Sequence, residues 1–162
     1  MVHSVLFSRK DEDWETPEEV YQGLNAEFHF TLDPCASEDT AKCIRYFTKE
    51  DDGLEQPWGT ERVFLNPPYG RDIRKWIDKA IDASKSGALV VALVHARTDT
   101  RWFHEAIRWA NEVRFRKGRI RFGHPGKDDI NSPFPSVVMI FRPWCLPRPA
   151  LQSGDWASFH RI

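Results

Sequence analysis

Apolar positions along this chain change period several times, and each change marks a predicted element. Val20, Tyr21, Leu24 and Phe28 recur at helical spacing. They follow Thr16-Pro17-Glu18-Glu19, a helix-start pattern with Thr16 as N-cap and Pro17 at the first helical position. Residues 28–32 predict a strand that ends at Asp33-Pro34, and a short helix through Ala41 leads to a second strand over 44–48. An acidic, turn-rich loop from Lys49 to Gly59 precedes a strand over 62–65. Ile73, Trp76, Ile77, Ala80 and Ile81 then mark an amphipathic helix that Gly87 ends. Residues 88–94 are nearly all apolar, as in a central parallel strand covered on both faces. Thr98-Asp99-Thr100 opens a third helix carrying Trp102, Phe103, Ala106, Ile107 and Trp109. Two late strands are predicted, one from 112–115 running toward Phe122 and one over 136–141, separated by a Gly/Pro-rich loop at 123–135. Trp76, Trp102 and Trp109 read as core, and His95 and His104 as packed or solvated rather than catalytic.

Strand–helix alternation closed by two nearby strands predicts an α/β fold, mostly parallel with an antiparallel C-terminal edge and helices on both faces. The 162 residues are expected to form one domain, with a polar lead (1–13) and a Pro-containing tail (143–162) at its periphery. At 41% hydrophobic and 29% charged, the composition is that of a soluble globular chain. No apolar run approaches the ~18 residues of a membrane span, and residues 1–10 lack a signal-peptide pattern. Cys35, Cys43 and Cys145 show no CxxC or zinc-ligand spacing, so a reduced cytoplasmic protein without metal or membrane partner is expected. The net charge of −1 conceals an asymmetry. Residues 1–70 carry 6 Lys/Arg against 15 Asp/Glu, whereas residues 71–127 carry 14 against 6. Two ligands of opposite charge would suit such a chain, and so would two solvated faces.

The most informative segment is Asn66-Pro67-Pro68-Tyr69, set between the apolar run Val63-Phe64-Leu65 and an amphipathic helix. Two prolines fix their own φ and bias Asn66 toward an extended conformation. A carboxamide and an aromatic ring are thus mounted on a stiff turn at a strand end, where open α/β sheets bind ligands. A planar amine beside a stackable ring is what such a pair would hold. Asp33-Pro34 ends another strand 33 residues earlier, and parallel pairing would bring both turns to one rim. An Asp before Pro is also an ordinary turn former.

In their order, these residues resemble the small phage-type DNA N6-adenine methyltransferases (Dam family). The resemblance runs through Trp14-Glu15-Thr16-Pro17, Leu32-Asp33-Pro34-Cys35-Ala36-Ser37, Tyr46-Phe47-Thr48, Asp52-Gly53-Leu54, Trp58-Gly59, Asn66-Pro67-Pro68-Tyr69-Gly70, Trp76-Ile77, Ala96-Arg97-Thr98-Asp99-Thr100, Trp102-Phe103, Gly118-Arg119-Ile120 and the stretch from Pro133 to Phe141, about residues 14–141. It implies a Rossmann-like methyltransferase sheet, S-adenosylmethionine as cofactor, adenine in DNA as substrate and a phage or prophage role in countering host restriction. The N-P-P-Y segment alone is shared with methyltransferases acting on RNA amines or protein glutamine, and a non-catalytic nucleic-acid-binding module is the other alternative.

The same resemblance assigns roles. Asn66, Pro67, Pro68 and Tyr69 would be catalytic, with the Asn66 oxygen and Pro67 carbonyl accepting the two N–H bonds of the adenine amine. Tyr69 would stack on a base extruded from the duplex. Asp33 and Pro34 would receive the methionine end of the cofactor, with Thr16 and Pro17 lining the same pocket. Glu50, Asp51 and Asp52 all qualify as the ribose ligand, and Asp52 is favoured. Methyltransferases usually carry glycines after the first-strand acid, but Ser37-Glu38-Asp39 stands there, so that loop is expected to be shaped differently. Arg71, Arg97, Arg114, Arg116, Lys117, Arg119 and Arg121 are the candidate DNA-backbone contacts. Arg97 also reads as part of a helix start, and the run from Arg114 as a charged strand face. His124, Lys127 and Asn131 are candidate base readers.

Overall fold

A computed structural model of the chain describes residues 15–124 and 127–144, apart from the side chains of residues 124 and 127–130. Along the chain run α1 (Glu18–Phe28), β1 (Leu32–Asp33), β2 (Arg45–Tyr46), β3 (Arg62–Leu65), α2 (Ile73–Lys85) and β4 (Leu89–His95). They are followed by α3 (Arg101–Trp109), β5 (Glu112–Phe115), β6 (Arg121–His124), β7 (Lys127–Asn131) and β8 (Ser136–Phe141). Six strands form one sheet in the order β2-β1-β3-β4-β8-β5, and β6 pairs with β7 in a separate hairpin.

Pairing within the first four strands of that order is parallel, with Leu32 opposite Val63 and the whole of β3 in register with β4 from Arg62↔Leu89 to Leu65↔Ala92. Strand β8 runs antiparallel to both β4 and β5. The expected antiparallel C-terminal edge is therefore present, made by β8 and the outermost strand β5. Chain order reverses at β1: β2 lies on one side and β3 on the other, which makes the carboxyl ends of β1 and β3 the switch point of the sheet.

Alternation along the strands divides the core. Val63, Leu65, Val90, Ala92 and Val94 face Ile73, Trp76, Ile77 and Ala80 of α2 and Phe103 and Ala106 of α3. Phe64, Val91 and Leu93 face Tyr21 and Phe28 of α1, together with Ile120 and Phe122. Helices thus cover both faces, and β4, buried along almost its full length, lies between the two cores. Each fully buried Val, Leu or Phe contributes about 1.5–3 kcal/mol.

Three local expectations change. The helix expected before Ala41 is a turn. Ser37 and Thr40 bond to each other, and the Ser37 carbonyl accepts the N–H groups of Thr40 and Ala41. Short polar side chains compete with helix in this way. Strand β1 starts at Leu32 rather than Phe28, because α1 runs through Phe28 and closes on left-handed His29 (φ 52°), whose N–H donates to Asn25 O. Asn25 Oδ1 then takes the N–H of Phe30, at 2.7 Å. The expected loop at 123–135 contains most of the β6–β7 hairpin, held to the body because Ile120 and Phe122 bury against α1 and β4. The hairpin also bonds to the chain before α1: Glu15 and Gly123 exchange two backbone hydrogen bonds of 3.0 Å.

Gly53 lies where the acidic loop crosses Pro34, and a Cβ there would stand 2.2 Å from the Pro34 carbonyl oxygen. Gly53→Ala is expected to destabilise the protein by roughly 1–3 kcal/mol through overpacking. Gly23→Ala, in α1 with open space around it, is expected to stabilise by roughly 0.5–1 kcal/mol. Thermal melts of the two variants beside wild type check both signs.

Candidate active site

Three strand ends supply the site. Asp33 ends β1, Asn66 follows β3 and His95 ends β4. Because these strands are parallel and adjacent, all three residues reach the same rim. The sequence expectation that Asp33 and Asn66 share a rim is met by the backbone itself.

Asp33 is buried, at 4% exposure. Its carboxylate accepts the backbone N–H of Cys35 at 3.3 Å and of Lys42 at 3.1 Å, closing the loop that follows β1. The Lys42 ammonium is drawn away, bonding Glu15 at 3.2 Å and Glu18 at 3.3 Å. Burial therefore dominates, and the Asp33 carboxyl is pushed up to about 6, with the two N–H bonds and the Lys42 charge opposing the rise. A desolvated carboxylate with lone pairs to spare suits an ammonium group. The loop after it, without glycines, is held by Ser37 and Thr40 and by Asp33 itself.

Asn66 is fixed from two sides. Its Nδ2 donates to Thr16 Oγ1 at 3.0 Å, and its Oδ1 accepts the Tyr69 hydroxyl at 3.1 Å. Thr16 is accordingly not a helix cap: Pro17 occupies the cap position and no side chain caps α1. Proline fits there without a donor to satisfy, so the Thr16 hydroxyl, 1% exposed, is left to orient the amide. The Leu93 carbonyl oxygen, 3.4 Å from the same hydroxyl, is a second and more distant acceptor for its single proton, and burial raises the Tyr69 pKa above the usual tyrosine range. The Tyr69 ring lies flat on His95, with centroids 3.7 Å apart and 5° between planes, and meets Phe122 edge-on. Pro34 and Pro67 are buried; Pro17 and Pro68 are partly exposed.

The acidic loop builds itself with its own carboxylates. Asp51 accepts the Thr48 N–H and hydroxyl, and exposed Asp52, in a left-handed conformation (φ 51°), accepts the Leu54 N–H at 3.1 Å. Glu50 is exposed. Trp58 pins the loop by donating its indole N–H to Gly53 O at 2.9 Å.

The basic candidates separate into two groups. Arg114 forks onto Glu27 at 2.6 and 2.7 Å and bonds Glu112 at 2.6 Å, against the end of α1. Its charge is neutralised within the fold, so the outward-facing run begins after it. Arg71, Lys117, Arg119 and Arg121 are exposed. They follow the carboxyl ends of β3 and β5 or begin the hairpin. Arg97 pairs with Asp99 and lies 4.6 Å over the Phe134 ring. Arg116 is partly buried, with its Nε unpaired. Asn131 is exposed on β7, while the side chains of His124 and Lys127 lie outside the described residues. Sequence reasoning passes over Lys42, whose side chain is 10% exposed; its sole signal is a lysine at the end of a polar turn. Among the described residues, no cluster of His, Cys, Asp and Glu forms a metal site, and no helix is long and apolar enough to cross a membrane.

Asp33 supplies a test of its burial. Its folded-state carboxyl lies above the ordinary 3.8, so the folded state holds an extra proton between about pH 4 and 6. The contribution of Asp33 to stability therefore falls as pH rises through that window, while Glu18, Glu27 and Glu61, whose carboxyls are held below the usual value by their hydrogen bonds, contribute in the opposite direction. Denaturant titrations of ligand-free protein are expected to show Asp33→Asn gaining stability relative to wild type between about pH 4 and 6. A wild-type-to-variant difference that does not change with pH would contradict the raised Asp33 carboxyl.

Comparison with known proteins agrees with the rim geometry. A family profile described as DNA N-6-adenine-methyltransferase (Dam) matches residues 3–158. The DNA N-6-adenine-methyltransferase of Escherichia phage T1 is 32% identical over 169 residues, covering 92% of this chain and 67% of that protein. The enzyme of the same description from Haemophilus phage HP1 (strain HP1c1) is 29% identical, covering 95% and 91%. A shorter match, 39% identical over 66 residues, covers 36% of this chain and 71% of the putative methyltransferase YfdM of Escherichia coli (strain K12). With an N-P-P-Y turn and a buried acid meeting at the sheet's switch point, and nearly its whole length matched, the chain belongs to the DNA N-6-adenine-methyltransferase (Dam) family.

Proposed function

We propose that this chain methylates N6 of adenine in DNA with S-adenosylmethionine as donor, at the rim shared by Asp33 and Asn66-Pro67-Pro68-Tyr69. The observation that carries the reading is the fixed Asn66 amide, with its nitrogen end on Thr16 and its oxygen end toward Tyr69. When bound, S-adenosylmethionine supplies an electrophilic methyl group and takes the electron pair of the breaking bond. Asp33 holds its ammonium end, because a buried carboxylate satisfied only by two backbone N–H groups gains from a cation. Asp52 is the proposed ribose ligand, since it lies exposed on the loop that Gly53 packs against Pro34. Thr16 contributes through Asn66, and Pro17 through the turn that places Thr16.

An adenine amine is a poor nucleophile because its lone pair is delocalised into the ring. Asn66 Oδ1 and the Pro67 carbonyl accept its two N–H bonds and favour a pyramidal nitrogen with its lone pair out of the ring plane. A carboxamide oxygen has two lone pairs, so Oδ1 serves both the Tyr69 hydroxyl and the amine. The proton released on transfer leaves along one of these hydrogen bonds to solvent. Tyr69 stacks on the extruded base, a contact worth about 1–3 kcal/mol, and rate comes from positioning and electrostatics. Arg71, Arg97, Arg116, Lys117, Arg119 and Arg121 form the phosphate-facing rim, and Arg114 serves the fold. A DNA substrate places the enzyme in the cytoplasm of a bacterium or phage-infected cell. The two phage relatives suit a role in shielding phage DNA from restriction.

Transfer of labelled methyl to unmethylated duplex DNA, followed by digestion to nucleosides, should yield N6-methyladenine; label in another nucleoside, or none, contradicts the substrate. Asn66→Ala is expected to lower turnover at least about 100-fold, the range expected when a transition-state hydrogen bond is removed, with donor affinity largely kept. Asp33→Ala should weaken donor binding instead, read by calorimetry. In salt titrations of DNA binding, Arg119→Ala or Arg121→Ala should reduce the slope by roughly 0.9 for each phosphate no longer neutralised. Arg114→Ala should leave that slope intact and lower the melting temperature.

A further inference from the structure

His95 ends the central strand and, though 6% exposed, does more than fill space. Its ring covers one face of Tyr69 at 3.7 Å and is nearly parallel to it. Among the described residues no other ring covers Tyr69 face-on, since Phe122 meets it at 71°. Behind His95 the column continues through Phe134, centroids 5.3 Å apart, to the Arg97 guanidinium 4.6 Å from the Phe134 ring. Tyr69, His95, Phe134 and Arg97, from the N-P-P-Y turn, the end of β4, the segment before β8 and the loop after β4, thus form a contiguous column at the rim, stacked at Tyr69–His95 and tilted by 48° at Phe134.

The imidazole is also locked in its plane. Ser132 Oγ lies 3.0 Å from His95 Nε2 and 2.8 Å from the Phe134 carbonyl oxygen. A carbonyl only accepts, so the single hydroxyl proton of Ser132 goes to Phe134, and Oγ must accept from His95. That places the ring proton on Nε2. Ser132 is itself fixed, 3% exposed, with its N–H on Ile120 O at 2.9 Å. Burial, followed by the nearby Arg97 and Arg119 charges, holds the imidazole down at about 4, so the ring is neutral at physiological pH. Arg97 is in turn paired with Asp99, and Arg119 reaches the Ser132 carbonyl at 3.4 Å.

We propose that His95, locked in one tautomer by Ser132, is a positioning residue that backs the Tyr69 ring and holds it as a fixed stacking surface for the extruded adenine. The inference rests on the reading of the site as a DNA adenine methyltransferase and adds two residues to it. Tyr69 is then held by its hydroxyl on Asn66 and by its covered face on His95, so an incoming base meets a surface already in place. Pre-organisation of this kind lowers the entropy lost on binding.

The test compares His95→Ala, His95→Phe and Ser132→Ala with wild type. Labelled methyl transfer to unmethylated genomic DNA is read as KM for DNA and kcat, beside donor affinity by calorimetry. His95→Ala is expected to lower kcat/KM about tenfold, mostly through KM, with donor affinity unchanged. A flat ring should serve as backing, so His95→Phe is expected to restore most of that loss. Ser132→Ala should fall between them. Imidazole ¹⁵N shifts of wild type should show a single Nε2–H tautomer, and Ser132→Ala should mix the two. If His95→Ala fails to fold, His95→Phe and Ser132→Ala still carry the test. Wild-type KM in all variants, or a His95→Phe loss equal to that of Ala, would overturn the role of His95. Absence of methyl transfer by wild type would instead overturn the functional reading, and the nitrogen shifts would still report the tautomer.

Discussion

Parallel pairing of β3 with β1 on one side and β4 on the other sets the position of every residue in the site. Asp33, Asn66 and His95 come from three separate stretches of chain, and only this register brings them to one rim. The pairing is in turn enforced by alternation. Val63 and Leu65 must face the α2 side while Phe64 faces α1. A shift by one residue would exchange the two cores and carry Asn66 away from Thr16. Hydrophobic burial thus fixes, at a distance, the geometry on which a polar site depends.

At the rim itself the controlling principle is satisfaction of buried polar groups. Asn66 is held by Thr16 and Tyr69, Tyr69 by Asn66, and His95 by Ser132. Such networks are rigid because each unmade bond in a buried setting costs about 1–3 kcal/mol. Asp33 is the exception. Its two backbone bonds close a loop, but among the described residues no cationic side chain bonds to it, since Lys42 is held by Glu15 and Glu18. The fold tolerates a desolvated carboxylate at the rim, and in the proposed reading this is where the cationic end of the methyl donor is received.

Much of this is legible in the sequence, and the rest is not for identifiable reasons. The α2 periodicity, the apolar β4 and the rigid Asn66-Pro67-Pro68-Tyr69 turn are local signals, and local signals survive folding. Family membership, too, is readable from the ordered short motifs. Thr16 carries the correct signature of a helix cap, yet Pro17 takes that position and a residue fifty positions away claims the hydroxyl. Arg114 stands in a basic run, but its partner Glu27 lies 87 residues earlier. The β6–β7 hairpin is hidden because Ile120 and Phe122 gain their burial from α1 and β4, not from their own neighbours. His95 reads as packed, which it is; what it packs against gives it meaning.

The central claim is that one ligand spans the gap between the β1 and β3 strand ends, joining a carboxylate that receives a charge to an amide that presents an amine. A crystal structure of the protein with S-adenosylhomocysteine tests this most directly. The account predicts the ligand's ammonium within hydrogen-bonding distance of the Asp33 carboxylate and its sulfur turned toward Asn66 and Pro67. Ligand bound away from this rim, with Asp33 and Asn66 untouched, would contradict it.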